Sequence, residues 1–150
     1  MPKRFEITYV DKDNKEKTPF VIHRAIFGSI ERFVGVLLEH LNGNLPLWLS
    51  PIQVRIINFT DRNIKASEKI AKHLNDIIPN LRIDSDFRNT TINDKIRDAE
   101  MMKINYIIVI GDKEEKANTL AVRVRGKKPQ FGIKIDKFAK DVRDEIDKRI

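Results

Sequence analysis

Cysteine is missing from this 150-residue chain, which removes disulfides and thiolate metal ligands together. No run of eighteen apolar residues occurs, and the opening MPKRFEITYV lacks a signal-peptide apolar region. Membrane spanning and secretion are therefore not expected, and a cytoplasmic location is. Nucleotide-cradling loops are absent too: no GxGxxG follows a strand, and GxxxxGKS/T does not occur. The three histidines form no HExxH pattern, so a zincin-type centre is excluded. Trp48, the single tryptophan, is expected to pack at a domain junction, with RNA stacking as the alternative.

What is present is an ordinary globular composition, 41% hydrophobic and 34% charged, enough for one good core or two small ones. The net charge of +7 is unevenly placed. Residues 1–50 hold 7 Lys/Arg against 6 Asp/Glu, and residues 51–150 hold 22 against 16. Between Lys116 and Ile135 stand Lys116, Arg123, Arg125, Lys127, Lys128 and Lys134, with no acid among them. A basic second part points to a polyanion partner, solubility being the bland alternative.

In chain order, FEITYV and TPFVIHRAIF, separated by DKDNKEK, predict a β-hairpin, with the second strand starting at or after Pro19. Gly28 and Ser29 then lead into a helix with apolar residues from Ile30 to Leu41, wide enough around its circumference to be buried on most sides. Ser29 is its expected N-cap and Asn42-Gly43 its stop. Arg32 falls in the first turn, where a cation opposes the helix dipole unless an anion arrives; a phosphate would suit it. The alternative is an ion pair with Glu31.

Asn42 to Pro51 reads as the domain boundary, dividing the chain into 1–45 and 46–150. Beyond it QVRIINF predicts a buried strand, Arg62 to Ile78 an amphipathic helix, and LRIDSDF a second strand. NTTINDKIRDAEMMK predicts a helix started by Thr91, with Ile92, Ile96, Ala99 and Met102 on its apolar face; Met101 and Met102 are expected to be core or partly buried, and Lys103 turned to solvent. NYIIVIG is the most apolar run and the expected central strand. GDKEEKAN predicts a turn, TLAVRVR a strand and GIKI an edge strand. Asp136 is the expected cap of a last helix, with Phe138, Val142, Ile146 and Ile150 on its apolar side. The expected fold class is α/β, a mixed five-stranded sheet with flanking helices, preceded by a β-hairpin and helix.

HRAIFGSIERF, followed by LLEH, a glycine and LPLWLSPIQV, resembles the third signature motif of class II aminoacyl-tRNA synthetases in its threonyl form, running on into that enzyme family's anticodon-binding domain. The resemblance covers nearly the whole chain. It implies that Arg32 holds ATP phosphates, with Mg2+, during amino-acid activation, and that Gly28 and Ser29 line the adenylate and threonine pocket, although Gly28 could serve only to turn the chain. It implies that His23 is one of three zinc ligands; by the residues alone, a lone histidine on an apolar strand is more often a hydrogen-bonded core residue. For the anticodon it implies Asn89 after the second strand, Arg97 on the next helix, Lys113 and Glu114 after the central strand, and Arg123. Thr91 stands where the threonyl pattern often has a lysine, which puts a phosphate contact there in doubt.

The first two class II motifs and the family's other two zinc ligands do not occur in this sequence. The expectation is therefore the carboxy-terminal portion of a threonine-tRNA ligase, inactive alone. It would bind threonine tRNA and complete its catalytic site with the rest of the synthetase in cis or in trans, as a homodimer in the full enzyme. A stand-alone RNA-binding or regulatory module, and a dimerisation role for the amino-terminal piece, are the alternatives.

Overall fold

Valine and isoleucine crowd the two strands at the middle of the sheet because both faces there must be apolar. The computed structural model describes residues 1–149; Ile150 lies outside the described residues. Two compact units divide the chain, Met1–Leu37 and the remainder from Leu38.

In the second unit the strands are β3 (Val54–Asn58), β4 (Ile83–Asp86), β5 (Tyr106–Ile110), β6 (Thr119–Val124) and β7 (Gln130–Lys134), in the order β4-β3-β5-β6-β7. β3 runs parallel to both β4 and β5, whereas β6 and β7 join antiparallel. The mixed five-stranded sheet expected from the sequence is present, with NYIIVIG at its centre. Helices α2 (Ile64–Ile77) and α5 (Ile135–Lys148) cover one face, burying Ile70, Leu74, Phe138 and Val142 against Val54, Ile56, Ile108, Ile110, Leu120 and Val122. On the other face α3 (Ile92–Met101) packs alone, through Ala99 with Ile92 and Ile96, against Ile57 and Ile107.

Helix starts follow local chemistry. Thr91 caps α3 by accepting from the Asp94 amide at 3.3 Å, as expected. α2 is led in by a short 3-10 turn, Asp61–Asn63, in which the Asn63 carboxamide oxygen accepts from Thr60 N and Oγ1. The last helix begins two residues earlier than expected: its N-cap is Lys134, and Asp136 lies in the first turn, where its charge favours the dipole without capping. GDKEEKAN is not a simple turn but holds a six-residue helix, α4 (Asp112–Ala117), whose start is tied by the Gly111 amide donating to Glu114 Oε2 at 3.1 Å.

Three packing expectations for this unit fail. Phe59 does not continue the buried strand; β3 ends at Asn58, whose side chain turns back to Thr60 O, and the Phe59 ring is 61% exposed. Met101 and Met102 are exposed, because α3 ends at Met101 and Lys103 takes a left-handed φ of 56° that turns the chain away. Lys103 is half-buried rather than free in solvent, its ammonium held by the Asn42 carbonyl. Trp48 is half-buried, with the Arg149 guanidinium 5.7 Å from its ring centre.

The first unit, by itself, is sparse. The hairpin reduces to two-residue strands, β1 (Tyr9–Val10) and β2 (Glu16–Lys17), tied by Asp11 accepting from Lys17. From Thr18 to Ala25 there is no regular structure, so the expected strand through His23 is not formed: it has no neighbouring strand to pair with. α1 (Ile30–His40) begins where expected, but no residue of it is buried, contrary to the expectation of burial on most sides. Phe27 and Phe33 pack with ring centres 4.6 Å apart and planes tilted by 37° near its start.

Candidate functional site

Two groups of polar residues need an account, one in each unit. In the first, Gly28 occupies the left-handed region at φ +65°, which lets the chain turn sharply into α1. Ser29 Oγ accepts from the Arg32 amide at 3.4 Å and donates to Glu31 Oε2 at 2.6 Å, so the serine caps the helix. That donated hydrogen bond is the main cause holding the Glu31 carboxyl below its ordinary range. Glu31 is therefore engaged by the cap and not by Arg32. Arg32 is exposed and has no ion-pair partner among the described residues. A guanidinium and free first-turn amides thus stand together at a helix start, an arrangement that suits an anion. His23 is exposed, and no three potential metal ligands gather anywhere among the described residues.

The second group sits where helix cover runs out. α3 shields β3 and β5 on its face, and over β6 and β7 that face is open. The result is a hollow of about 300 Å³ lined by Phe59, Asn93, Val109, Glu114, Arg123 and Phe131, with Pro129 at its edge. Phe131 is 74% exposed and Phe59 61%, so two aromatic faces are presented to solvent at one cleft. Burying them would gain free energy, yet none of the described residues of this unit covers them. Among the described residues Arg123, on β6, has only Glu100 as an ion-pair partner, at 3.9 Å; Glu114 spends one carboxylate oxygen on Gly111 N and keeps the other. Acceptor, donor fork and two ring faces in one hollow are the groups that read and stack an unstacked base.

Of the residues the sequence pointed to, Glu114 and Arg123 meet in this hollow. Lys113 lies beside it on α4, and Arg97 is exposed on α3. Asn89 is exposed in the bend after β4 and lines no part of it. Phe59, Asn93 and Phe131 were not found from sequence. Phe131, an aromatic within the acid-free basic stretch, was the available signal.

Below the Asn89 bend the loop is anchored by Arg88, whose guanidinium donates to Asp86 at 2.7 and 2.9 Å and to Asp98 at 2.7 Å. The arginine's hydrogen bonds hold the Asp86 carboxyl below its ordinary value, with burial working against them. Lys95, 3% exposed on α3, donates to Asn58 Oδ1 at 2.8 Å and adds a further favourable charge near Asp86. On the opposite face burial, together with the hydrogen bond to Glu145, raises the Tyr106 hydroxyl pKa.

The family described as "Anticodon binding domain" matches residues 53–145, the stretch that builds the sheet and the cleft. The chain belongs to that family. Residues 1–41 match a second description, "tRNA synthetase class II core domain (G, H, P, S and T)". The chain is similar to the threonine–tRNA ligase of Sulfurihydrogenibium sp. (strain YO3AOP1), 47% identical over 148 residues, covering 97% of this chain and 22% of that protein. It is similar also to the threonine–tRNA ligase of Desulforamulus reducens, 43% identical over 146 residues, 97% of this chain and 23% of that protein. Its fold matches the crystal structure of the RNA binding domain of threonyl-tRNA synthetase from Cryptosporidium parvum Iowa II, with a TM-score of 0.74, 29% identity and coverage of 96% of this chain and 36% of that one. The chain thus spans under a quarter of the length of these bacterial relatives.

Among the described residues no helix is long and apolar enough to cross a membrane.

Proposed function

We propose that the chain is part of a threonine–tRNA ligase acting in the cytoplasm, with residues 46–150 reading the anticodon of threonine tRNA and residues 1–45 belonging to the catalytic domain. The observation that carries this reading is the open half of the sheet face, where Phe59, Phe131, Glu114 and Arg123 line one hollow. Bases of an anticodon loop would stack on the two rings, Arg123 would donate to a base edge, and Glu114 would accept from an exocyclic amine. Asn89, Arg97 and Lys113, all exposed, would hold the rest of the loop. The relatives' names support the assignment to threonine, and the two family matches support the division into a catalytic piece and an anticodon-binding piece.

In the amino-terminal piece, Arg32 would hold phosphate oxygens of ATP bidentately while Gly28 and Ser29 line the adenylate and threonine pocket. Mg2+ would accompany ATP as part of the substrate. Zinc is a different matter: His23 is a single ligand with no companions among the described residues, and three are needed. The residues present do not make a zinc site. Catalysis would then require the remainder of the synthetase, in cis or in trans, and a homodimeric full enzyme.

Fluorescence titration with the anticodon stem-loop of threonine tRNA, and with the same RNA carrying a changed anticodon, tests the reading at two salt concentrations. The native loop should bind more tightly, and Arg123→Ala should cost about 1–3 kcal/mol of that binding with the fold intact. Equal, wholly salt-driven affinity for both RNAs would sink the anticodon assignment. For Arg32, the Ala variant of the complete enzyme should form threonyl-adenylate more slowly; unchanged activation kinetics would reject the ATP role.

A further inference from the structure

We infer that a second, cationic hollow beyond α4 carries the phosphate backbone of the same RNA away from the base cleft. It is a cavity of about 470 Å³ lined by Lys69 and His73 of α2, Ala117 and Asn118 at the end of α4, Thr119 where β6 begins, and Lys134 before α5. The inference rests on the reading of the base cleft given above and extends it along the RNA.

α4 separates the two hollows. Glu114, in its first half, lines the base cleft, and Ala117, its last residue, lines the cationic one. Six helical residues span about 9 Å, so a strand leaving the cleft meets the second hollow after crossing one short helix. The three acids of that helix, Asp112, Glu114 and Glu115, each accept a hydrogen bond within the unit. Asp112 and Glu115 accept from the Asn63 carboxamide at 2.9 and 2.8 Å, and Arg62 stands 3.7 Å from Asp112. Lys113 and Lys116 are exposed and, among the described residues, have no ion-pair partner. Lys69 and Lys134 are likewise exposed and unpaired among the described residues. Among the described residues the one acid lining the hollow, Asp136, faces His73 at 3.8 Å.

Four unpaired ammonium groups, two on the bridging helix and two in the hollow, therefore run on from a cleft built for bases. A phosphodiester chain is the polyanion that fits this order: bases in the aromatic hollow, phosphates over the lysines. Lysine is a point charge without the planar fork of arginine, so contacts of this kind add affinity and salt dependence but no base preference.

The test is a salt titration of the 150-residue chain with the native and the changed anticodon stem-loops, for wild type, Lys69→Ala/Lys134→Ala and Arg123→Ala. Both lysines are exposed, so the double variant should keep the wild-type melting curve. The expected result is a weakening by the same factor for both RNAs, with the slope of log affinity against log salt reduced by about 1.4, or about 0.7 per lost contact. The anticodon preference should persist in the double variant and vanish in Arg123→Ala. An unchanged slope in the double variant, with Arg123→Ala still losing the preference, overturns the track and leaves the base cleft standing. A reduced slope where even the wild type shows no preference supports the track and removes the base reading beneath it. Inorganic tripolyphosphate that competes as well as single-stranded RNA at equal phosphate concentration overturns the track in favour of an isolated anion site.

Discussion

Met1–Leu37 and the α/β unit use apolar residues in opposite ways. No residue of the first is buried, and Ile22, Ile26 and Ile30 are each at least 70% exposed. The second sinks Val54, Ile56, Ile57, Leu74, Ile108 and Ile110 to zero exposure between its layers. Apolar patterning in the first piece is therefore not evidence of a core of its own, whereas in the second it is. A strand pattern needs a neighbouring strand before it becomes a strand, and TPFVIHRAIF has none here.

The comparison breaks most clearly at the core. Leu74→Ala, on the buried side of α2, should cost about 2–5 kcal/mol of unfolding free energy, whereas Val34→Ala on α1, 45% exposed, should cost under about 1 kcal/mol. Urea melts followed by circular dichroism would measure both, and equal losses would mean that α1 packs as tightly as α2. Next in size is Asp86→Asn, which should cost about 1–2 kcal/mol near neutral pH by releasing Arg88. The folded carboxyl is held below its ordinary 3.8, so its stabilisation is complete above that value and is lost as the pH falls through the lower, folded pKa. The difference between wild type and variant should accordingly be flat from pH 7 to about 5 and close on further acidification; a difference that widened in acid would contradict the ion pair. The smallest effect is expected for Thr91→Ala, about 1 kcal/mol from the lost α3 cap, with no change in the stability of Met1–Leu37.

Much of the α/β unit was legible because period-two and period-3.6 patterns coincide there with clean breaks at Pro79, Gly111 and Gly126. Where reading failed, a local hydrogen bond had outvoted the pattern. Asn58 folds back on Thr60 and ejects Phe59 from the strand; Lys95 is buried at a position that looks like surface because Asn58 receives its ammonium. α4 is too short to show a period at all. In the site, Glu114 and Arg123 came from the family resemblance and do share a hollow, while Phe59 escaped because an aromatic at the end of an apolar run looks like core, and Phe131 because it stands among lysines and turn residues. It is the part of the sheet face that α3 leaves uncovered that reveals them as walls.

The two walls differ in how firmly they are held. Phe59 follows β3, which is paired on both sides, but Phe131 rides on β7, an edge strand whose pairing with β6 slips between Leu120 and Val122 and which holds Gly132 at φ +70°. Amide exchange should accordingly be slowest in β3 and β5 and fastest in β7, since an edge strand opens at a lower free energy than the sheet centre. The cleft thus has one fixed jaw and one compliant jaw, and its width can adjust to purine or pyrimidine without disturbing the core.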